Sequence, residues 1–284
     1  MSGSQASGRT AAFFDLDGTL LPLPSLESRF VAALRYRRAI PAMNYVRWLA
    51  HAVRIAPQGI ARIAHANKMY LHNVVALSST STPIYVEPRT ACTTATHATA
   101  SSPGTHQYCS PRFFPAGIDR VAWHVRQGHT VILTTGTLEP LAKQAALALT
   151  LRLVARGLTA SIGVCATRLE EVGGRWTGRI EGEAIIAENK ARALQRIAAQ
   201  CGFDFLRSYA YGDTASDRWM LGAVGRPTAI NPSRELERIA RLRSWPILRW
   251  SEFSTSIAAA APKEKRSHNL KCTAVPDIHT ETLG

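Results

Sequence analysis

Two kinds of apolar pattern alternate along the chain. Short runs of adjacent apolar residues are separated by longer stretches in which apolar positions recur every three or four residues. The runs predict strands at 11–16 ("AAFFDL"), 129–135 ("HTVILTT"), "SIGVCAT", "LRSYAYGD", "RPTAIN" and "WPILRW". The periodic stretches predict helices over "LESRFVAALRYRRA", "MNYVRWLAHAVRIA", 138–156, 187–200, "SDRWMLGAV" and "PSRELERIARL", the last with Pro in its first turn. In "RLEEVGGRWTGRIEGE" a Gly pair between polar and β-favouring residues predicts a hairpin. Strand and helix signals taking turns define an α/β protein, a parallel sheet with crossover helices.

Departures from that alternation set the organisation. After the first strand, residues 23–75 read as a helical insertion. Residues 76–110 are rich in Ser and Thr without amphipathic period, the composition of a disordered or loosely folded loop. A catalytic-type core is therefore expected at 11–22 and 111–250, with a disordered N-terminus at 1–10 and a polar tail at 251–284.

Composition narrows the class. A chain of 284 residues can bury a sizeable core. No run of eighteen apolar residues is present, and the first ten residues lack a hydrophobic signal core, so a cytoplasmic protein without a membrane span is expected. The five cysteines are scattered and include no C-x-x-C pair, which argues against a disulfide framework or a zinc site. The net charge of +14 reads first as solvated basic faces rather than as a nucleic-acid footprint. The same holds for Arg47, His51, Arg54, Arg62 and His65, spaced to share a helical face in the insertion.

The candidate chemistry begins at "FFDLDGT". Residues i and i+2 of a strand point the same way, so Asp15 and Asp17 face one crevice at the strand's C-terminal edge, where open α/β sheets bind ligands. Two like charges so placed call for a cation, and carboxylate oxygens with an open coordination sphere suit Mg²⁺. A second acidic pair, Asp213 and Asp217, follows a later strand in "YAYGDTASD". Taken alone, Asp217 reads also as a first-turn helix acid.

"DLDGTL", "ILTTG", a lone Lys190 opening a helix and "GDTASD", in that order, resemble the four motifs of the haloacid dehalogenase phosphohydrolase superfamily. The helical insertion directly after the first motif is similar to subfamily IB, which includes phosphoserine phosphatases. The resemblance implies a Rossmann-like parallel sheet flanked by helices with a helical cap inserted after the first strand. It also implies a Mg²⁺-dependent phosphomonoesterase forming an aspartyl-phosphate. Asp15 is then the nucleophile and Asp17 the general acid and base, its backbone carbonyl aiding metal binding. Thr135 and Gly136 bind phosphate through hydroxyl and amide, Lys190 supplies positive charge to phosphate and nucleophile, and Asp213 and Asp217 complete the metal shell. The chemistry agrees: a carboxylate is ionised at neutral pH and attacks phosphorus, splitting one difficult displacement into two.

The substrate is less defined, because selectivity resides in the insertion. The position nine residues after the nucleophile, a Glu in phosphoserine phosphatases, is Pro24 here, with Glu27 three residues further. A small phosphorylated metabolite such as phosphoserine or histidinol phosphate is the leading expectation. A phospholipid headgroup, or a basic lipid- or nucleic-acid-binding role with an idle site, are the alternatives.

Overall fold

A computed structural model of the protein describes residues 8–58, 67–77 and 111–252. Arg62, His65, and the segments 1–7, 78–110 and 253–284 lie outside the described residues. The elements among them are β1 (Ala11–Phe14), α1 (Leu26–Tyr36), α2 (Ala42–Ile55), α3 (Pro115–Arg126), β2 (Thr130–Leu138), α4 (Glu139–Val154), β3 (Gly163–Thr167), β4 (Leu169–Val172), β5 (Arg175–Ile180), α5 (Glu188–Cys201), β6 (Tyr209–Gly212), α6 (Arg218–Gly222), β7 (Arg226–Ile230), α7 (Arg234–Leu242) and β8 (Ile247–Leu248).

Six strands form one sheet in the order β3-β2-β1-β6-β7-β8, every pairing parallel. The four-residue strand β1 sits at its centre, between β2 and β6. Alternation along β1 sends Ala12 and Phe14 into one core, with Val131, Leu133 and Tyr211, and Ala11 and Phe13 into another, with Ile132, Leu194 and Ala210. Burial on both faces is why this strand reads as a continuous apolar run rather than an alternating one. Phe14 stacks on Tyr211 of β6 with ring centroids 4.3 Å apart. This packing aligns the ends of β1 and β6, where the two acidic pairs emerge.

Several boundaries differ from expectation. Residues 8–10 are not part of a loose terminus: the Arg9 amide donates to the Gly202 carbonyl at 3.0 Å, and the Asp204 amide to the Arg9 carbonyl at 2.9 Å. Strand β2 runs on to Leu138, with a register shift against β3 between Thr135 and Leu138. Helix α7 is capped by Ser233, whose hydroxyl accepts from the Leu236 amide, so Pro232 precedes the cap and is not in the first turn. Helix α3 is absent from the expected elements, although Pro115 opens its first turn. Its inward face includes Gly117 and His124 beside Ile118, Val121 and Ala122, which blurs the apolar period.

The hairpin β4–β5 does not join the main sheet; it packs with the inserted helices. Trp176 meets Phe30 of α1 edge-on at 6.0 Å, in a cluster with Leu34, Leu71, Val74 and Leu77. Residues 73–76 run along β5: the Asn73 amide donates to the Trp176 carbonyl, the Trp176 amide to the Val74 carbonyl, and the Ala76 amide to the Gly174 carbonyl. Ala76 and Leu77, the first two residues of the expected Ser/Thr-rich loop, thus belong to this packed unit.

Helix α2 forms where its periodicity places it, but inside out. Asn44 and Ala52 face inward, while Met43, Val46, Leu49 and Val53 are 56%, 59%, 59% and 68% exposed.

Candidate active site

Beyond Phe14 the chain leaves the sheet through Asp15 to Thr19, and Gly18 makes the turn possible. Its φ is +92°, and a Cβ there would lie 2.1 Å from Asp213 Oδ2. The close approach sets the β1 and β6 loops side by side. Asp15, Asp213 and Asp217, all buried, come together with carboxylate oxygens within 4.8 Å of one another.

Lys190, the third residue of α5 and also buried, reaches into this cluster. Its Nζ donates to Asp15 Oδ1 at 2.5 Å and to Asp217 Oδ1 at 2.6 Å. The other Asp217 oxygen accepts from the Thr214 amide at 2.9 Å and the Thr214 hydroxyl at 2.8 Å, a capping box for the turn that follows. Asp217 therefore serves as a helix-start acid and as a member of the acidic cluster at once.

One ammonium faces three buried carboxylates, and the imbalance registers in their acidities. Burial, opposed by Lys190 and reinforced by Asp217, pushes the Asp15 carboxyl up to about 7. Burial, then repulsion from Asp15 and Asp217, pushes Asp213 up to about 9. Burial alone would lower the Lys190 pKa, but Asp15 and Asp217 outweigh it and raise it. Within hydrogen-bonding reach, Asp213 Oδ1 has the Thr19 hydroxyl, at 3.4 Å. An all-oxygen donor set with surplus negative charge fits a hard divalent cation, and Asp15, Asp213 and Asp217 would hold it.

Asp17 stands apart from that cluster. Its Oδ1 accepts from the Leu26 amide at 2.8 Å, at the start of α1, and its Oδ2 accepts from the Thr137 hydroxyl at 2.5 Å. Burial raises its pKa, opposed by those two hydrogen bonds. Thr135 is buried at the same strand end, its hydroxyl accepting from the Thr137 amide at 3.2 Å. Gly136 fits tightly, since a Cβ there would lie 2.8 Å from Ile186 Cγ2.

Above this floor lies a cavity of about 650 Å³ bounded by Thr135, Gly136 and Thr137 on the sheet side and by α1, α2, Lys68 and Tyr70 on the other. Glu27 projects into it and accepts from both the Lys68 ammonium and the Tyr70 hydroxyl. Sequence reasoning missed Thr137, Lys68 and Tyr70. Thr137 had a signal, the i, i+2 alternation with Thr135 at the end of a strand; Lys68 and Tyr70 had none. Thr137→Val is expected to lower kcat about tenfold with KM nearly unchanged, because it frees the Asp17 carboxyl to rotate, and Thr137→Ser to restore the rate. Equal steady-state constants for Thr137→Val and wild type would take Thr137 out of the site.

An acidic cluster at the C-terminal edge of a parallel sheet, roofed by inserted helices, is the arrangement of an enzyme that works on an anionic group. The family model for haloacid dehalogenase-like hydrolases matches residues 12–222, and the chain belongs to that family. It is 28% identical over 253 residues to a probable phosphatase of Mycobacterium tuberculosis, covering 88% of this chain and 78% of that protein. It is 32% identical over 250 residues to an inhibition of morphological differentiation protein of Streptomyces azureus, covering 84% and 78%. A solved structure of a protein with unknown function from Bordetella pertussis Tohama I has the same fold, with a TM-score of 0.56 and 24% identity over 87% of this chain and 100% of that one.

Proposed function

We propose that the protein is a Mg²⁺-dependent phosphomonoesterase that hydrolyses a small phosphorylated metabolite through an aspartyl-phosphate on Asp15. The observation that carries this reading is the Lys190 ammonium bridging Asp15 and Asp217 on the floor of a cavity whose sheet side is lined by Thr135, Gly136 and Thr137. Those groups are donors for the oxygens of a transferring phosphoryl group, whose transfer depends on positioning and charge stabilisation.

In the first step an Asp15 oxygen bonds to phosphorus while the bond to the leaving alcohol oxygen breaks, and Asp17 gives that oxygen its proton. A general acid must hold a proton near neutral pH, and burial moves Asp17 in that direction. In the second step Asp17 takes a proton from water as the water oxygen attacks phosphorus, and the Asp15–phosphorus bond breaks to release inorganic phosphate. Asp15, Asp213 and Asp217, with the Asp17 backbone carbonyl, would hold Mg²⁺, and the bound ion would supply charge neutralisation for the phosphoryl oxygens.

Glu27 bears on the substrate. Its carboxylate is met by Lys68 and Tyr70, so an ammonium group such as that of phosphoserine would have to compete with Lys68 for it. This weighs toward phosphomonoesters whose organic part carries no such group near the phosphate. The test is phosphate release from a panel including phosphoserine and histidinol phosphate, with and without EDTA. Activity is expected to vanish on chelation, return with Mg²⁺ and be inhibited by Ca²⁺, whose larger and less regular coordination misplaces the attack. Turnover indifferent to EDTA would refute the metal assignment.

A further inference from the structure

Helix α2 is held to the body of the protein by a polar residue. The fully buried Asn44 side-chain amide donates to the Tyr70 carbonyl at 3.1 Å and to the His72 carbonyl at 2.6 Å, and Asn67 donates to the Trp48 carbonyl at 2.8 Å. With Asn44 and Ala52 inward, the spacing of Met43, Val46, Leu49 and Val53 puts one apolar stripe on the opposite, outer face. A surface helix of a globular protein ordinarily does the reverse. An exposed apolar face rimmed by polar residues marks an interaction site.

Charge identifies what fits it. Between Ser28 and Leu77 the sequence has no Asp or Glu and eight Lys or Arg: Arg29, Arg35, Arg37, Arg38, Arg47, Arg54, Arg62 and Lys68. Arg47 and Arg54 lie on α2 beside the stripe, and Arg37 and Arg38 lead into it, next to Tyr36, which is 90% exposed. Among the described residues no carboxylate pairs with Arg37, Arg38, Arg47 or Arg54. An apolar stripe one helix wide, flanked by arginines and tyrosine, is the pattern of a helix lying in a lipid–water interface.

We infer that the outer face of α2 docks on an anionic membrane surface, with Val46, Leu49 and Val53 entering the acyl boundary and the surrounding arginines meeting lipid phosphates. A second copy of the chain would set the same basic surface against itself, and nucleic acid offers no hydrocarbon to the stripe. The chain's own 78–110 segment lacks the periodic apolar residues to cover it. Since Tyr45 and Trp48 of α2 also line the cavity, docking holds the cavity rim near the headgroups.

Co-sedimentation of the full chain with vesicles tests this. Binding is expected to phosphatidylcholine vesicles containing about 30 mol % phosphatidylglycerol, and to be roughly tenfold or more weaker with phosphatidylcholine alone or above about 0.5 M salt. The variant V46S/L49S/V53S and, independently, R37E/R38E are each expected to lose about tenfold or more in affinity for the anionic vesicles, with the cooperative thermal transition retained. The inference is overturned if the wild-type chain ignores anionic vesicles, or if V46S/L49S/V53S binds them as well as wild type. A lipid-free dimer, seen in sedimentation velocity and dissolved by V46S/L49S/V53S, would equally overturn it, assigning the face to a second copy.

Discussion

Asp15→Asn is expected to lower the rate of phosphate release by roughly 10³-fold or more, because an amide is nearly the size of a carboxylate yet does not attack phosphorus. The substitution should leave the fold in place. Lys190 keeps its bond to Asp217 at 2.6 Å, and the amide oxygen can still accept from Lys190. One of three crowded carboxylates has been neutralised, so the circular-dichroism spectrum and the thermal midpoint should stay within a few degrees of wild type. Retention of a tenth of the activity in a preparation free of wild-type enzyme would place the nucleophile elsewhere.

Lys190→Met should cost both stability and activity. The ammonium is the cation that the described residues supply to Asp15 and Asp217, and removing one partner from a buried ionic group costs about 3–5 kcal/mol. The carboxylates can relieve part of that cost by taking up protons, which fixes the pH dependence. In the variant the folded pKa of Asp15, already at about 7 in wild type, lies further above its unfolded value near 4. A group raised in the folded state contributes stability at acid pH that is lost as pH climbs through the folded value. The deficit relative to wild type, measured by urea unfolding in EDTA, should therefore be small near pH 5 and grow toward pH 8. A deficit independent of pH would mean that Lys190 acts through packing alone.

How far these features could be read from the chain depends on how local their causes are. The acid pairs and Lys190 were legible because each sits at the end of a strand or the start of a helix, and parallel pairing brings such ends to one edge. Thr135 and Gly136 were legible for the same reason. Thr137 was lost because β2 was expected to stop at Thr135, and only the register shift against β3 carries it on. The Asp17 carboxyl was placed on the metal side by alternation along a strand, but β1 ends at Phe14 and the turn that follows sends that carboxyl toward α1. Lys68 and Tyr70 reach Glu27 across more than forty residues, a contact with no sequence period. The burial of α2 was illegible for a different reason: periodicity reports that a helix has two faces and not which one the rest of the chain covers.

The pairing of residues 73–76 with β5 has a consequence for anyone wishing to transplant the roof of this site. The roof is assembled from two pieces, one leaving the sheet after β1 and the other after β3, and neither is self-sufficient. Grafting the first piece alone onto a related core would leave Phe30 and Val74 without Trp176, and the backbone groups at 73–76 without hydrogen-bonding partners. The roof is thus inherited as a matched set: a chimera that exchanges it must carry both crossings, and recombination between them would yield a sound sheet beneath a roof that does not close.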